Sequence, residues 1–299
     1  MGMLLGYLYI IVGALGLGLN TMLVKMVYSH GILPNQLLLI QYILSMILFW
    51  VLAMFKKDVI QLPKGNILQI FIVALGDFAG VLTFYYALKF LDAGLVTMLF
   101  FTFPIYVILL VRVFFKERIT AAQGISLALT ILGTALALDI LNLDFHIMPL
   151  AGVLLGFGAA FAVSFVHVYA QHVLKEARPL TVSLYTVTFM AVFTFFIQNP
   201  MNLMEIAFSG EMVTLILLIT LIGGFLPKIF LFAGLKLIGA ARVSIVGVVE
   251  LPFALVMSFY LLGESLLPVQ ILGAVLIFAG VIFLQLGDLR KYREPSQVS

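Results

Sequence analysis

The stretch ALKFLDAGLVTMLFFTFPIYVILLVRVFFKERITAAQGISLALTILG (Ala87–Gly133) decides the fold, because a second version of it follows later in the chain. That version is GLKLIGAARVSIVGVVELPFALVMSFYLLGESLLPVQILGAVLIFAG (Gly234–Gly280). Identical residues recur 147 positions apart in the two copies: Lys89 and Lys236, Ala93 and Ala240, Glu117 and Glu264, Gln123 and Gln270, Gly133 and Gly280. An ordered series of this kind indicates an internal duplication.

The duplication extends toward the start of each copy. Gly76 matches Gly223 at the same spacing of 147 residues. Two earlier pairs match at a spacing of 145 residues: Gly13 with Gly158, and Pro34 with Pro179. The two-residue difference fits a longer connection between the second and third helices of the later copy. The repeat therefore covers essentially the whole chain.

Composition places both copies in lipid. Of the 299 residues, 64% are hydrophobic and only 10% are charged, whereas soluble domains carry roughly 25% charged residues. The mean hydropathy is +1.24. The absence of cysteine excludes thiolate metal sites, iron–sulfur clusters, a catalytic thiol and disulfides.

Ten segments are long and apolar enough to cross a bilayer, which takes about 20 residues of helix. They lie at about 4–28, 35–55, 67–88, 93–114, 120–139, 149–172, 180–198, 211–234, 241–262 and 267–287. The predicted fold class is an all-α integral membrane protein with ten transmembrane helices. Long continuous apolar runs exclude the short alternating strands of a membrane β-barrel.

The distribution of basic residues predicts the orientation. With the N-terminus in the cytoplasm, thirteen of the sixteen lysine and arginine residues lie in cytoplasmic loops and ends. Cytoplasmic loops of membrane proteins carry such an excess. We therefore expect a multi-pass protein of the cytoplasmic membrane with both termini cytoplasmic.

Each copy contains five helices, and because five is odd, the second copy must lie upside down relative to the first. We divide the chain into residues 1–145 and 146–299, two inverted five-helix repeats. Inverted repeats are typical of secondary transporters, whose substrate site lies near the midplane between the halves. A duplicated membrane scaffold is the alternative.

The two quoted stretches resemble the EamA-type members of the drug/metabolite transporter superfamily. Pro104 followed by Lys116 and Glu117, and Glu250 and Pro252 followed by Gly263 and Glu264, carry the resemblance. The chain departs from the family pattern in three ways: Leu251 separates Glu250 from the proline, the first helix lacks its usual tryptophan, and Gln41 replaces an arginine. The resemblance implies ten helices and small-molecule transport, and it favours export.

Proline and glycine mark weak points in the predicted helices. Proline removes one helical hydrogen bond and displaces the carbonyl group four residues earlier, which predicts loosened helices at Pro104, Pro227 and Pro252. Gly223 and Gly224 precede Pro227, and Gly76 is the repeat partner of Gly223. Interrupted segments at matching places in two halves indicate a transporter's binding site. We therefore predict hinges at these six residues.

Three ionisable residues fall deep in the predicted spans. Asp77 and Glu250 lie near the bilayer middle, and Lys228 lies at a depth comparable with that of Glu250. Such residues are costly in lipid and usually pair or serve function. Lys228 and Glu250 lie on consecutive spans at similar depth and could form an ion pair that locks these spans. The alternative for the two residues is substrate contact or proton handling. For Asp77 the alternative is a structural role, because Gly76 and Gly80 form a helix-contact motif.

Further polar residues in the spans are candidate cavity residues. They are Asn20, Gln41, Tyr85, Tyr106 and His167, with Tyr169 and Tyr185 as additional candidates. The alternative for each is a hydrogen bond to a neighbouring helix.

The sequence thus predicts a secondary transporter that moves a small metabolite by alternating access. An amino acid or related amine is the favoured substrate, protons are the candidate coupling ion, and the protein is a monomer or homodimer in membrane lipid. Enzyme motifs and a Walker A motif are absent, so we expect no enzyme activity, no metal or other cofactor, and no nucleic-acid partner. The alternative is a membrane-embedded accessory subunit or an enzyme without transport activity.

Overall fold

The computed structural model describes residues 2–62, 66–142, 149–197, 203, 208–263 and 265–293, and these residues contain helices but no β-strand. Glu264 and the boundary predicted at residue 145 lie outside the described residues. The helices of the first half are α1 Gly2–Tyr28, α2 Pro34–Phe55, α3 Asn66–Ala87, α4 Ala93–Phe100, α5 Phe103–Phe115 and α6 Ala121–Ala137. Those of the second half are α7 Leu150–Val173, α8 Pro179–Ile197, α9 Gly210–Ile219, α10 Leu226–Ile238, α11 Ala240–Gly247, α12 Glu250–Met257 and α13 Pro268–Arg293.

These helices form ten spans. Within the described ranges, nine helical segments are long and apolar enough to cross a membrane, and α6 is a shorter apolar helix. Three spans are composite: α4 with α5, α9 with α10, and α11 with α12. The all-α fold with two repeats is confirmed, and the observed helix ends lie within a few residues of the predicted ones.

Matching residues of the repeat make matching local structure. The side-chain Oε1 of Gln123 accepts a hydrogen bond from the N–H of Thr120 at the start of α6, at 2.9 Å. Gln270 accepts one from Leu267 in the same way before α13, at 3.0 Å. Each bond satisfies a backbone N–H donor at a helix start, as the glutamine of a capping box does. The repeated glutamines are therefore helix caps.

The two halves interleave instead of forming separate bundles. The largest helix contacts each join one helix of the first half to one of the second: α6 with α13, α3 with α7, α1 with α10, α1 with α12, and α2 with α8. The contact of α3 with α7 is the repeat image of that of α10 with α1. Each half thus packs into the other, as an inverted repeat requires.

The fourth and ninth spans are interrupted at corresponding positions. α4 ends at Phe100 and α5 begins at Phe103; 147 residues later, α11 ends at Gly247 and α12 begins at Glu250. Pro104 and Pro252 follow the two gaps directly, in the first turn of the resuming helix, where the missing N–H of proline does not disturb the hydrogen bonding. Each span consequently consists of two half-helices.

The two ends of the molecule are packed differently. We call the end that holds the start of α1 and the finish of α13 the terminal end, and the other the opposite end. At the terminal end α5 packs against α11, whereas their repeat images at the opposite end, α12 and α4, make no comparable contact among the described residues. The largest hydrophobic cluster joins both halves near the terminal end, where a smaller cluster also lies between α2 and α8. The clusters at the opposite end are small. The molecule is therefore closed at the terminal end.

Candidate functional site

A cavity of about 210 Å³ lies between the two halves near the middle of the spans. Its walls come from α1, α4 and α5 of the first half and from α7, α10, α11 and α12 of the second. Its volume corresponds to roughly seven molecules of liquid water at about 30 Å³ each. This space suits a small molecule better than a drug-sized one, since pockets that bind drug-sized ligands have volumes of about 300–1,000 Å³.

All ionisable groups on the cavity wall belong to the second half. They are His167, Lys228 and Glu250. The first half contributes only apolar residues, among them the rings of Phe100, Phe101 and Phe103. At the repeat positions of Lys228 and Glu250, the first half has Val81 and Phe103. The cavity is thus polar on one side and apolar on the other, which suits an amphipathic ligand.

Lys228 forms an ion pair with Asp77, not the pair with Glu250 that the sequence suggested. Both side chains are largely buried, at 17% and 13% exposure. The pairing with Glu250 does not form because α1 packs against both α10 and α12 and so separates these helices, although they are consecutive spans. Lys228 instead reaches α3 in the other half. Asp77 itself does not line the cavity.

Glu250 begins α12 directly after the interruption of the ninth span and lines the cavity. Within the part of the chain that the structure describes, it has neither an ion-pair nor a hydrogen-bond partner. A carboxyl group in this position is free to bind a cationic group of a ligand or a proton.

His167 joins the same wall from α7. Its side chain is buried, its ring lies edge-on to that of Phe103 at 5.6 Å, and its Nδ1 has no hydrogen-bond partner among the described residues. A buried ring nitrogen without a partner is costly, so this atom is available to a ligand or to water.

Asn20 and Gln41 lie against a distorted turn of the eighth span. Residues Thr220–Phe225 form a π-helical turn between α9 and α10. A side chain at Gly223 would overlap Asn20, and one at Gly224 would meet Ser45 and Gln41. Asn20 Oδ1 is buried without a partner in the described structure. These two polar residues thus contact the distorted turn, and neither lines the cavity.

The predicted tyrosines lie outside the cavity. Tyr85 interacts with the hydroxyl of Tyr28, and Tyr106 packs edge-on against Phe161 at 6.1 Å. Tyr169 stacks on Phe165. The hydroxyl of Tyr185 donates to the carbonyl oxygen of Ile60 at 3.1 Å.

Gly76 does not interrupt the third span, contrary to the predicted correspondence with Gly223. α3 is continuous through it, because no proline follows Gly76 as Pro227 follows Gly223. A side chain at Gly76 would approach Val166 and Phe165 of α7 to 3.0 and 3.2 Å. The glycine therefore permits close packing of α3 on α7.

Sequence reasoning missed a polar network at the terminal end. Arg242 of α11 binds Asp288 of α13 through two hydrogen bonds of 2.5 and 3.0 Å, and the Tyr7 hydroxyl of α1 donates to the same carboxylate at 2.5 Å. Asp288 is buried. The charge of Arg242 was visible in the sequence, but its partner lies 46 residues away at the end of the last span.

Tyr42 was also missed by sequence reasoning. It lies close enough to Asp77 for the two groups to interact electrostatically.

Within the described ranges, no three histidine, aspartate or glutamate side chains are grouped to hold an ion.

Comparisons with known proteins agree with this architecture. The model of the EamA-like transporter family matches twice, at residues 4–138 and 150–286. An uncharacterized transporter of Synechocystis sp. (strain PCC 6803) is 25% identical over 212 residues, which cover 67% of this chain and 61% of that protein. A solved crystal structure of a protein matches 99% of this chain and 98% of its own, with a TM-score of 0.77 and 15% identity. At that identity the last match shows the fold alone.

Proposed function

The chain belongs to the EamA-like transporter family, and we propose that it is a secondary transporter of an amino acid or related amine. It is a multi-pass membrane protein with a small-molecule substrate. We place it in the cytoplasmic membrane with both termini cytoplasmic, as the excess of basic residues at that end indicates, and we propose export as its direction. Residues 1–145 and 146–299 are the proposed repeat units.

The cavity carries the proposal for the substrate. A molecule with an amine, a carboxylate and a small apolar body matches its three kinds of wall. The amine would bind Glu250 and the carboxylate would bind Lys228. The apolar body would contact the phenylalanine rings of the first half. A volume of about 210 Å³ supports a substrate of this size class.

The unequal ends support alternating access. α5 packs against α11 at the terminal end, whereas their repeat images α12 and α4 make no comparable contact in the part of the chain that the structure describes. If α4 packed against α12 while α5 separated from α11, the opposite end would close and the terminal end would open. The cavity would remain between the two ends. The interruptions after Phe100 and Gly247 are the proposed bending points.

Counterflow in proteoliposomes tests the proposal. Vesicles containing the purified protein are loaded with one unlabelled amino acid or amine at a time, and entry of the labelled compound is followed. We expect accelerated exchange for at least one compound that carries an amine, and a raised thermal unfolding temperature with the same compound. The proposal for the substrate is wrong if amines and amino acids give neither effect while a sugar or nucleotide does.

A further inference from the structure

Three glycines line the cavity, and they differ in what surrounds them. A side chain at Gly223 would overlap Asn20, and one at Gly13 would touch Phe230 at 3.4 Å. At Gly247 an added Cβ would meet no atom within 4 Å. Gly247 is the last residue of α11 and lacks the positive φ that favours glycine. Neither backbone geometry nor packing therefore requires glycine there.

The repeat partner of Gly247 shows which part of the cavity stays empty because glycine has no side chain. The residue 147 positions earlier is Phe100, which occupies the corresponding place at the end of α4 and also lines the cavity. The first half thus puts an aromatic ring on the wall where the second half has no side chain. This pair adds a difference in side-chain size to the difference in polarity between the two sides of the cavity.

We infer that Gly247 sets the upper size limit of the transported molecule. The space beside Gly247 holds the apolar part of the substrate, opposite the phenylalanine rings of the first half. This inference rests on the proposed function, because it concerns the same cavity. It adds to that proposal the residue that determines which substrate side chains fit into the cavity.

A graded series of variants tests the inference. Gly247→Ala, Gly247→Val and Gly247→Leu are assayed by counterflow with labelled alanine, leucine and tryptophan. The largest amino acid that the unsubstituted protein carries should be lost first, by about ten-fold or more relative to alanine, since one methylene in a tight pocket discriminates about 10–200-fold. Alanine should still be carried by the Gly247→Ala variant. An equal loss for all three amino acids, or no loss for any, would overturn the inference.

Gly124→Val is the matched control. Gly124 lies in α6, and a Cβ there also meets no atom within 4 Å, but the residue is exposed outside the cavity. The control therefore introduces the same chemical change into a helix without altering the site. It should keep the size profile of the unsubstituted protein, and a changed profile would attribute the effect to helix packing and overturn the inference.

Labelling with a thiol reagent tests the geometry without a substrate. Because the chain contains no cysteine, a G247C variant has a single thiol, which a membrane-impermeant reagent should modify from the aqueous phase. L132C should stay unmodified, since Leu132 is exposed in the middle of α6, where it faces lipid. If the G247C thiol is unreactive, the inference is wrong. If that thiol reacts while the unsubstituted protein carries none of the amino acids, the substrate class proposed above is wrong and the inference falls with it.

Discussion

Lys228 belongs at once to the wall of the cavity and to an ion pair outside it. Its ammonium group binds Asp77 of α3, while the residue lines the space between the halves. An anionic group of a substrate would therefore compete with Asp77 for the same cation. Binding of substrate would then weaken a contact between the halves, and this would link occupancy of the cavity to the proposed alternating access.

Asp77→Asn should destabilise the folded protein. Removing one partner of a buried ion pair leaves the other charge uncompensated and costs about 3–5 kcal/mol. We expect a lower thermal unfolding temperature in detergent, and partial recovery in Asp77→Asn combined with Lys228→Met. The double variant isolates the interaction energy of the pair. Additive losses from the two substitutions would show that the pair contributes nothing to stability.

Glu250 should give transport its dependence on pH. Glutamine has the shape of glutamate but carries no proton that can be released, so Glu250→Gln should transport more slowly and with a flatter pH profile. Transport is measured in vesicles from mildly acidic to mildly alkaline pH. Glu176→Gln, the same change at an exposed position, should keep the original profile. A flat profile for the unsubstituted protein would indicate facilitated diffusion or exchange without protons.

The sequence singled out the deep charges but not their pairing. Asp77, Lys228 and Glu250 were recognisable because charged residues within spans are expensive. Which of them meet depends on α1, which packs between α10 and α12. No feature of the spans themselves reveals that placement. Gly247 was missed for a different reason, since nothing in the sequence around it distinguishes it from the other 24 glycines of the chain.

At the scale of elements, the distorted turn Thr220–Phe225 depends on close contact with α1 and α2. Gly223 and Gly224 allow this contact, because side chains there would collide with Asn20 and Ser45. π-helical turns inside α-helices are rare, and those that occur are frequently found at functional sites. The turn lies directly before Pro227 and Lys228, so its geometry determines where the Lys228 ammonium group lies.

Gly223→Ala should lower both stability and transport. The added methyl group overlaps the Asn20 side chain, and overpacking of this kind costs about 1–3 kcal/mol. Asn20→Ala removes the overlapping atoms, so the double variant should recover thermal stability relative to Gly223→Ala alone. Equal unfolding temperatures for Gly223→Ala and the unsubstituted protein would contradict the contact.

The positions of proline and glycine predicted where the spans are distorted, but they did not predict the kind of distortion. Pro227 and the two preceding glycines indicated a distorted eighth span, and the structure has a π-helical turn there. Gly76 was expected to match it and does not. Repeat partners share ancestry but not identical neighbours, and only the second copy has the proline.

At the scale of the whole molecule, an ion pair with an additional hydrogen bond stabilises the closed terminal end. Tyr7, Asp288 and Arg242 connect α1, α13 and α11. The repeat positions of Tyr7 and Arg242 at the opposite end are Gly152 and Leu95, which carry no charge. The two closed states of the proposed cycle would therefore be held by different forces, one by a carboxylate network and the other by apolar packing.

Asp288→Asn should loosen the terminal end. Arg242 loses its charged partner, and each 1.4 kcal/mol taken from the closed state raises the open population about ten-fold. The readout is the thiol of a V243C variant, because Val243 lines the cavity and is 1% exposed. A membrane-impermeant reagent added at the terminal side should modify it faster once Asp288→Asn is also present. An unchanged rate would show that apolar packing alone closes this end.

The repeat, the ten spans and their inversion were available from the sequence, because each rests on patterns of hydrophobicity, spacing and charge. Which end of the molecule is closed could not be predicted from the sequence. An inverted repeat is compatible with either end being closed, and the choice depends on small differences in packing between α5 with α11 and α4 with α12.

The pairing of Asp77 with Lys228 also has a consequence for how the chain is made. The two residues are 151 positions apart, so at about 5–20 residues per second the ribosome adds the lysine roughly 8–30 s after the aspartate. During that interval α3 has entered the bilayer with a carboxyl group whose cation does not yet exist. Its principal helix partner α7 is also synthesised later. We therefore expect the nascent first half to stay beside the insertion machinery, and to assemble only when the eighth span arrives.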